Sequence, residues 1–144
     1  TINVWKIAIE NGQAKQLTFD KELAGWPSWS PDGKLLAFEL KRGDDTHIAI
    51  IQSDGGEIRQ LTFEHGQSWP HSWSPDGEHI AFAGFRNGVW NIYWVNVKDG
   101  NIKQLTRFNK LNSYVRYPEW SPTGNQIVFE YAEMTGNIWM MELK

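Results

Sequence analysis

The stretch Trp73-Ser74-Pro75-Asp76-Gly77, followed by Ile80-Ala81-Phe82, reads as a strand end, a tight turn and a second strand. Pro presets φ for the first central turn position, and Gly accepts the left-handed conformation that closes the turn. The pattern recurs on both sides. Trp29-Ser30-Pro31-Asp32-Gly33 leads to Leu36-Ala37-Phe38, and Trp120-Ser121-Pro122-Thr123-Gly124 leads to Ile127-Val128-Phe129. Asp32 and Asp76 can accept hydrogen bonds from nearby backbone N–H groups. Thr123 lacks that carboxylate.

Two further markers share the period. Gln16-Leu17-Thr18, Gln60-Leu61-Thr62 and Gln104-Leu105-Thr106 are spaced by 44 residues. Asn3, His47, Asn91 and Asn137 are spaced by 44, 44 and 46, each opening an apolar run. A period near 44 with several short strands per unit is the signature of a β-propeller blade. The fold expected is all-β: four-stranded antiparallel blades, about three to the chain, which amounts to half a propeller. The apolar run Leu35-Leu36-Ala37-Phe38 fits a sheet covered on both faces.

Taken in order, residues 1–19 supply the third and fourth strands of a blade, turned at Asn11-Gly12. Residues 25–63 and 69–108 are full blades, and 116–144 supplies strands one to three of another. The whole, 1–144, is one partial propeller domain. The last strand is placed at Asn137–Leu143. Thr18 to Trp29 and Thr62 to Trp73 are each 11 apart, but Thr106 to Trp120 is 14, so the extra residues lie within 107–116. The chain opens on Thr1 rather than Met, as a mature or excised piece would.

Composition narrows the function classes. Among 144 residues there are nine Trp, seven Phe, four Tyr and no Cys, and the net charge is −3. Basic and acidic residues are interleaved without a basic stripe, which argues against nucleic acid as a partner. Without cysteine there is no disulfide framework and no thiolate metal site. No stretch reaches the length of a membrane-spanning helix, so no membrane insertion is expected.

The Trp-Ser-Pro-Asp-Gly turn, the Ala-Phe strand and the Gln-Leu-Thr strand together resemble the TolB-type β-propeller repeat. The likeness covers almost the whole chain, and it is specific for fold and poor for function. Similar blades occur in periplasmic TolB, in the non-catalytic propellers of prolyl-peptidase and tricorn-type proteases, and in oligogalacturonate lyase. The resemblance implies a non-catalytic module that binds a protein or a small polar ligand, in a periplasmic or secreted setting. The alternative is a fragment of a propeller enzyme, either lyase-like or the accessory propeller of a peptidase. TolB-type propellers have about six blades, so this chain would need closure, and dimerisation would supply it.

Candidate chemistry is sparse. There is no Gly-x-Ser-x-Gly nucleophile motif, and Ser30, Ser74 and Ser121 read as turn residues. No catalytic residue, metal ligand or cofactor is assigned. His65 and His71 could lie near each other, but the lyase resemblance would call for histidines lining one end of the propeller, and one His per blade does not recur. Asp44-Asp45 and Arg42-Gly43-Asp44 read as turn residues. Trp26, Trp69 and Tyr117 lie just before the innermost strands, where propellers face the mouth of the central channel. With His71, Arg116 and Glu119 they form the candidate ligand rim, for a glycan or an aromatic ligand. Packing between blades is the competing reading for the three aromatics. Finally, Trp29, Trp73 and Trp120, with Phe38, Phe82 and Phe129, are expected to be buried between adjacent blades.

Overall fold

A computed structural model describes residues 1–136, apart from the side chain of His71. The strand read at Asn137–Leu143 lies outside the described residues. Twelve strands form four antiparallel sheets: β1 (Trp5–Ile7) with β2 (Ala14–Gln16); β3 (Ala24–Trp29), β4 (Leu35–Arg42), β5 (Asp45–Gln52) and β6 (Arg59–Gln60); β7 (Gln67–Trp73), β8 (His79–Arg86), β9 (Val89–Asn96) and β10 (Ile102–Gln104); and β11 (Ser113–Trp120) with β12 (Ile127–Glu133). Both four-stranded sheets are meanders in which each strand pairs with the next. This is the all-β, blade-by-blade architecture of a partial propeller.

The repeated turn explains its own residues. In all three copies the Gly N–H donates to the Ser carbonyl three residues earlier, at 2.8–2.9 Å, with Gly φ between 70° and 76°. Asp32 and Asp76 each accept from the Ser hydroxyl and from an amide two residues on. Those bonds hold both carboxyls below the usual range. At the third copy Asn125 Oδ1 accepts from Ser121 and Thr123 instead.

The other two markers prove to be one device. Thr18 Oγ1 accepts from the Val4 amide and donates to Asn3 Oδ1, which also accepts from the Asp20 amide. Thr106, Ile92, Asn91 and Phe108 repeat the same set. The Thr ties the fourth strand to the third, and the Asn pins the exit loop. In the blade between them, Thr62 still accepts from Ile48, but His47 stands in the Asn position, and its buried Nδ1 has no hydrogen-bond partner. Burial pushes the His47 imidazole below its ordinary pKa. His47→Asn would restore the acceptor, and is expected to raise stability by about 1 kcal/mol in urea denaturation.

The core lies between sheets, because alternate residues of a strand go to opposite faces. Leu36, Phe38, Leu40, Ala49 and Ile51 meet Val4 and Leu17 of the first sheet. Ala37, Ile48, Ile50 and Leu61 of the same sheet turn the other way, onto Trp73, Ile80, Phe82, Val95 and Val97. A strand with a neighbour on each side therefore reads as a continuous apolar run. Ala83 and Ile92 repeat the arrangement with Val115 of β11.

Burial of the six repeat aromatics divides. Trp73, Phe38 and Phe82 are buried, and the Trp73 indole donates to the Ser28 carbonyl of the preceding blade at 3.1 Å. Trp29 is instead 53 % exposed. The surface that covers Trp73 combines Ser28 of β3, Ala37 of β4 and Ile48 and Ile50 of β5, and the β1–β2 sheet has no counterparts of β3 and β4 among the described residues. Trp120 is half-buried and Phe129 is 36 % exposed. They face Ile92 and Trp94 of β9, and Leu105 just after β10, across a cavity of about 360 Å³. The buried Trp120 Nε1 lacks the acceptor that Trp73 has.

Candidate functional site

The innermost strands β3, β7 and β11 share a break in register. Two residues, Trp26 and Pro27, face one partner between Gly25 and Ser28. The same happens at Tyr117 and Pro118 between Arg116 and Glu119, and β7 shifts between Pro70 and Ser72. A bulge bends the strand and re-aims a side chain. Trp26 and Tyr117 both take left-handed backbone, φ 52° and 51°. That region is unfavourable for bulky residues and costs on the order of 1–3 kcal/mol. Trp26, Trp69 and Tyr117 thus sit within the innermost strands, not just before them. Pro27 and Pro118 lie in the bulges and Pro70 just before one, and each strand begins several residues ahead of its proline.

Four of the six rim candidates line one cavity of about 540 Å³: Trp26 from β3, Trp69 from β7, and Arg116 and Tyr117 from β11. Trp26 and Tyr117 are exposed. Trp69 packs on Trp90, ring centroids 4.3 Å apart, and Trp90 leans on Phe85 at 5.2 Å. Arg116 holds its guanidinium 4.4 Å above the Tyr114 ring. Glu119 follows the bulge, pairs with Val128, and does not line the cavity. His71 lies on β7, with its side chain outside the described residues.

The cavity also takes in residues the sequence reading had not placed at the rim: Glu39 and Lys41 of β4, the turn residue Asp44, Thr46 of β5, Gln67 and Pro70 of β7, and Ala83 of β8. Glu39 is 7 % exposed. Burial pushes its carboxyl up to about 7, offset only in part by the Thr46 hydroxyl. A carboxylate inside the apolar run Leu36–Leu40, where the next blade has Ala83, was the available signal.

Of the histidines, His65 pairs with Asp45 at 2.8 Å, and Asp45 also accepts from the Gly66 amide. Those two bonds, the amide's foremost, hold the Asp45 carboxyl below its ordinary range. Asp76, Glu78 and His79 bring ligand-type atoms close together. They belong to the repeat turn: Asp76 is engaged by Ser74 and Glu78, and His79 stands edge-on to Trp94 at 4.2 Å.

Solved structures share the fold. TolB from Acinetobacter baumannii aligns with a TM-score of 0.77 and 24 % identity over 94 % of this chain and 33 % of its own. A putative TolB from Agrobacterium tumefaciens gives 0.69 and 24 % over 90 % and 50 %. An oligogalacturonate lyase in complex with manganese gives 0.64 and 18 % over 85 % and 34 %. The chain spans half the length of the Agrobacterium protein and a third of the Acinetobacter one. Among curated protein sequences none matches. The model of the TolB beta propeller domain family matches residues 2–144, so the chain belongs to the TolB β-propeller domain family.

Proposed function

We propose that this chain is a non-catalytic binding module whose ligand site is the cavity at the bulges of β3, β7 and β11. One observation carries the reading. Three blades each send an aromatic residue to one concave surface, and two of the three do so from strained backbone. Strain retained at a concave, partly apolar site is a mark of function rather than of packing. An exposed Trp26 contributes little to a core, which weighs against the packing reading. The ligand is a protein segment or a small polar molecule. The setting proposed from the family is periplasmic or secreted. Among the described residues no helix is long and apolar enough to cross a membrane.

Fluorine NMR of 5-fluorotryptophan-labelled protein separates the indoles. A panel of small organic cations, carboxylates and sugars is expected to include members that shift Trp26 and Trp69 while leaving Trp5 and Trp29 in place. A panel that moves only indoles away from the cavity would remove the reading. Trp26→Gly relieves the left-handed strain. It is expected to raise stability by roughly 1 kcal/mol while weakening every such response.

Self-association is the second part of the proposal. Trp29 and Val128 leave apolar side chains bare where their counterparts Trp73 and Ala81 in the second four-stranded sheet are buried. A second copy, joined about a two-fold axis, would cover them and close a ring of about six blades.

A further inference from the structure

We propose that the cavity receives an organic ammonium group, which Glu39 meets at the floor while Trp26 and Trp69 face its apolar body. This deepens the binding reading and rests on it. Glu39 is buried, yet it lines the cavity. Among the described residues no ion pair reaches it. The Thr46 hydroxyl relieves it only in part, and that hydroxyl also accepts from the Ser68 amide. A buried carboxylate without a cation is costly, and it becomes favourable when a ligand supplies the charge.

The fold does not need an acid here. Ala83 occupies the same place in the next blade, paired with Ile92 as Glu39 is with Ile48, and it lines the same cavity without a charge. The walls suit a cation as well, since the faces of Trp and Tyr rings attract one. The other charged groups lining the cavity are Lys41 on β4, Asp44 beside β5 and Arg116 on β11. Arg116 is stacked on Tyr114, and neither it nor Lys41 offsets the burial of Glu39. Asp44 adds a second acidic group.

The test uses the full 144-residue chain labelled with 5-fluorotryptophan, titrated separately with n-butylammonium, butyrate and N-acetyl-lysine amide. At pH 8, n-butylammonium is expected to shift the Trp26 and Trp69 resonances saturably, and butyrate is not. Affinity should fall as pH drops below about 7 and Glu39 takes up a proton. Glu39→Gln, which removes a buried charge and should fold at least as well, is expected to weaken binding at least ten-fold. Tighter binding of N-acetyl-lysine amide than of n-butylammonium would identify a lysine side chain as the source. The reverse order would identify a small free amine, and either order upholds the ammonium site. Shifts with butyrate but not with n-butylammonium would overturn it in favour of an anion held by Lys41 and Arg116, with the binding reading intact. An unchanged affinity in Glu39→Gln would also overturn it. Silence from these probes and from the whole wider panel would remove the binding reading itself.

Discussion

Trp73→Ala is expected to cost about 3–5 kcal/mol, whereas Trp29→Ala, the same residue of the same motif, should cost less than about 1 kcal/mol. The difference comes from what lies under each ring. Trp73 packs among Ala37, Ile48, Ile50 and Leu61 of the preceding blade, and its indole N–H reaches the Ser28 carbonyl. Truncation would remove that apolar contact, leave a cavity between two sheets and orphan a buried acceptor. Trp29 is more than half exposed in the single chain, so truncation there costs the monomer little and falls instead on the proposed self-association. The comparison is therefore made at a concentration low enough to keep the chain monomeric. Urea denaturation of both variants measures the contrast. Equal losses, or a loss below about 1 kcal/mol at Trp73, would show that the blades are not held by these stacked tryptophans.

Glu39→Gln is expected to stabilise the protein in a way that grows with pH. Burial pushes the folded carboxyl up to about 7 from its ordinary value of 4.5. Below about pH 4.5 both folded and unfolded chains are protonated there, and the variant should match its parent. Between about 4.5 and 7 the folded state keeps a proton that the unfolded chain has released, so stability falls as pH rises. Above about 7 the loss is complete, of the order of 1–3 kcal/mol once contact with cavity water is allowed for. His47 works in the opposite sense. Its lowered folded pKa means that its contribution is present above about 6.5 and lost as pH falls below that. His47 is common to both proteins, so it cancels in the difference curve. A difference that stays flat from acid to alkaline pH would mean that Glu39 ionises as freely in the cavity as in the unfolded chain.

The repeat was legible because it is local. Ser, Pro, Asp and Gly of the turn bond to one another within a few residues, so the sequence alone places each strand pair. The Gln-Leu-Thr and Asn markers seemed independent until the structure joined them through Thr18 with Asn3 and Thr106 with Asn91. Burial of Trp29 was not legible, because identical motifs differ only in the neighbour each one meets. The bulges were missed for a related reason. Trp-Pro and Tyr-Pro look like strand boundaries, since the residue before proline normally avoids such backbone. Here Trp26 and Tyr117 adopt it inside a strand that continues on both sides. Glu39 escaped notice because a run covered on both faces gives no alternation to show which face an acid takes.

The packing between sheets follows from one requirement, that a blade keeps its apolar residues buried only while a sheet lies against each face. The most direct measurement is sedimentation velocity of the 144-residue chain at micromolar concentration, read with the exposure of the Trp29 indole to a collisional quencher. Stacked blades that seek a neighbour predict a folded species of twice the 16.7 kDa chain mass, with Trp29 protected. A well-folded monomer with Trp29 open to quencher would contradict it.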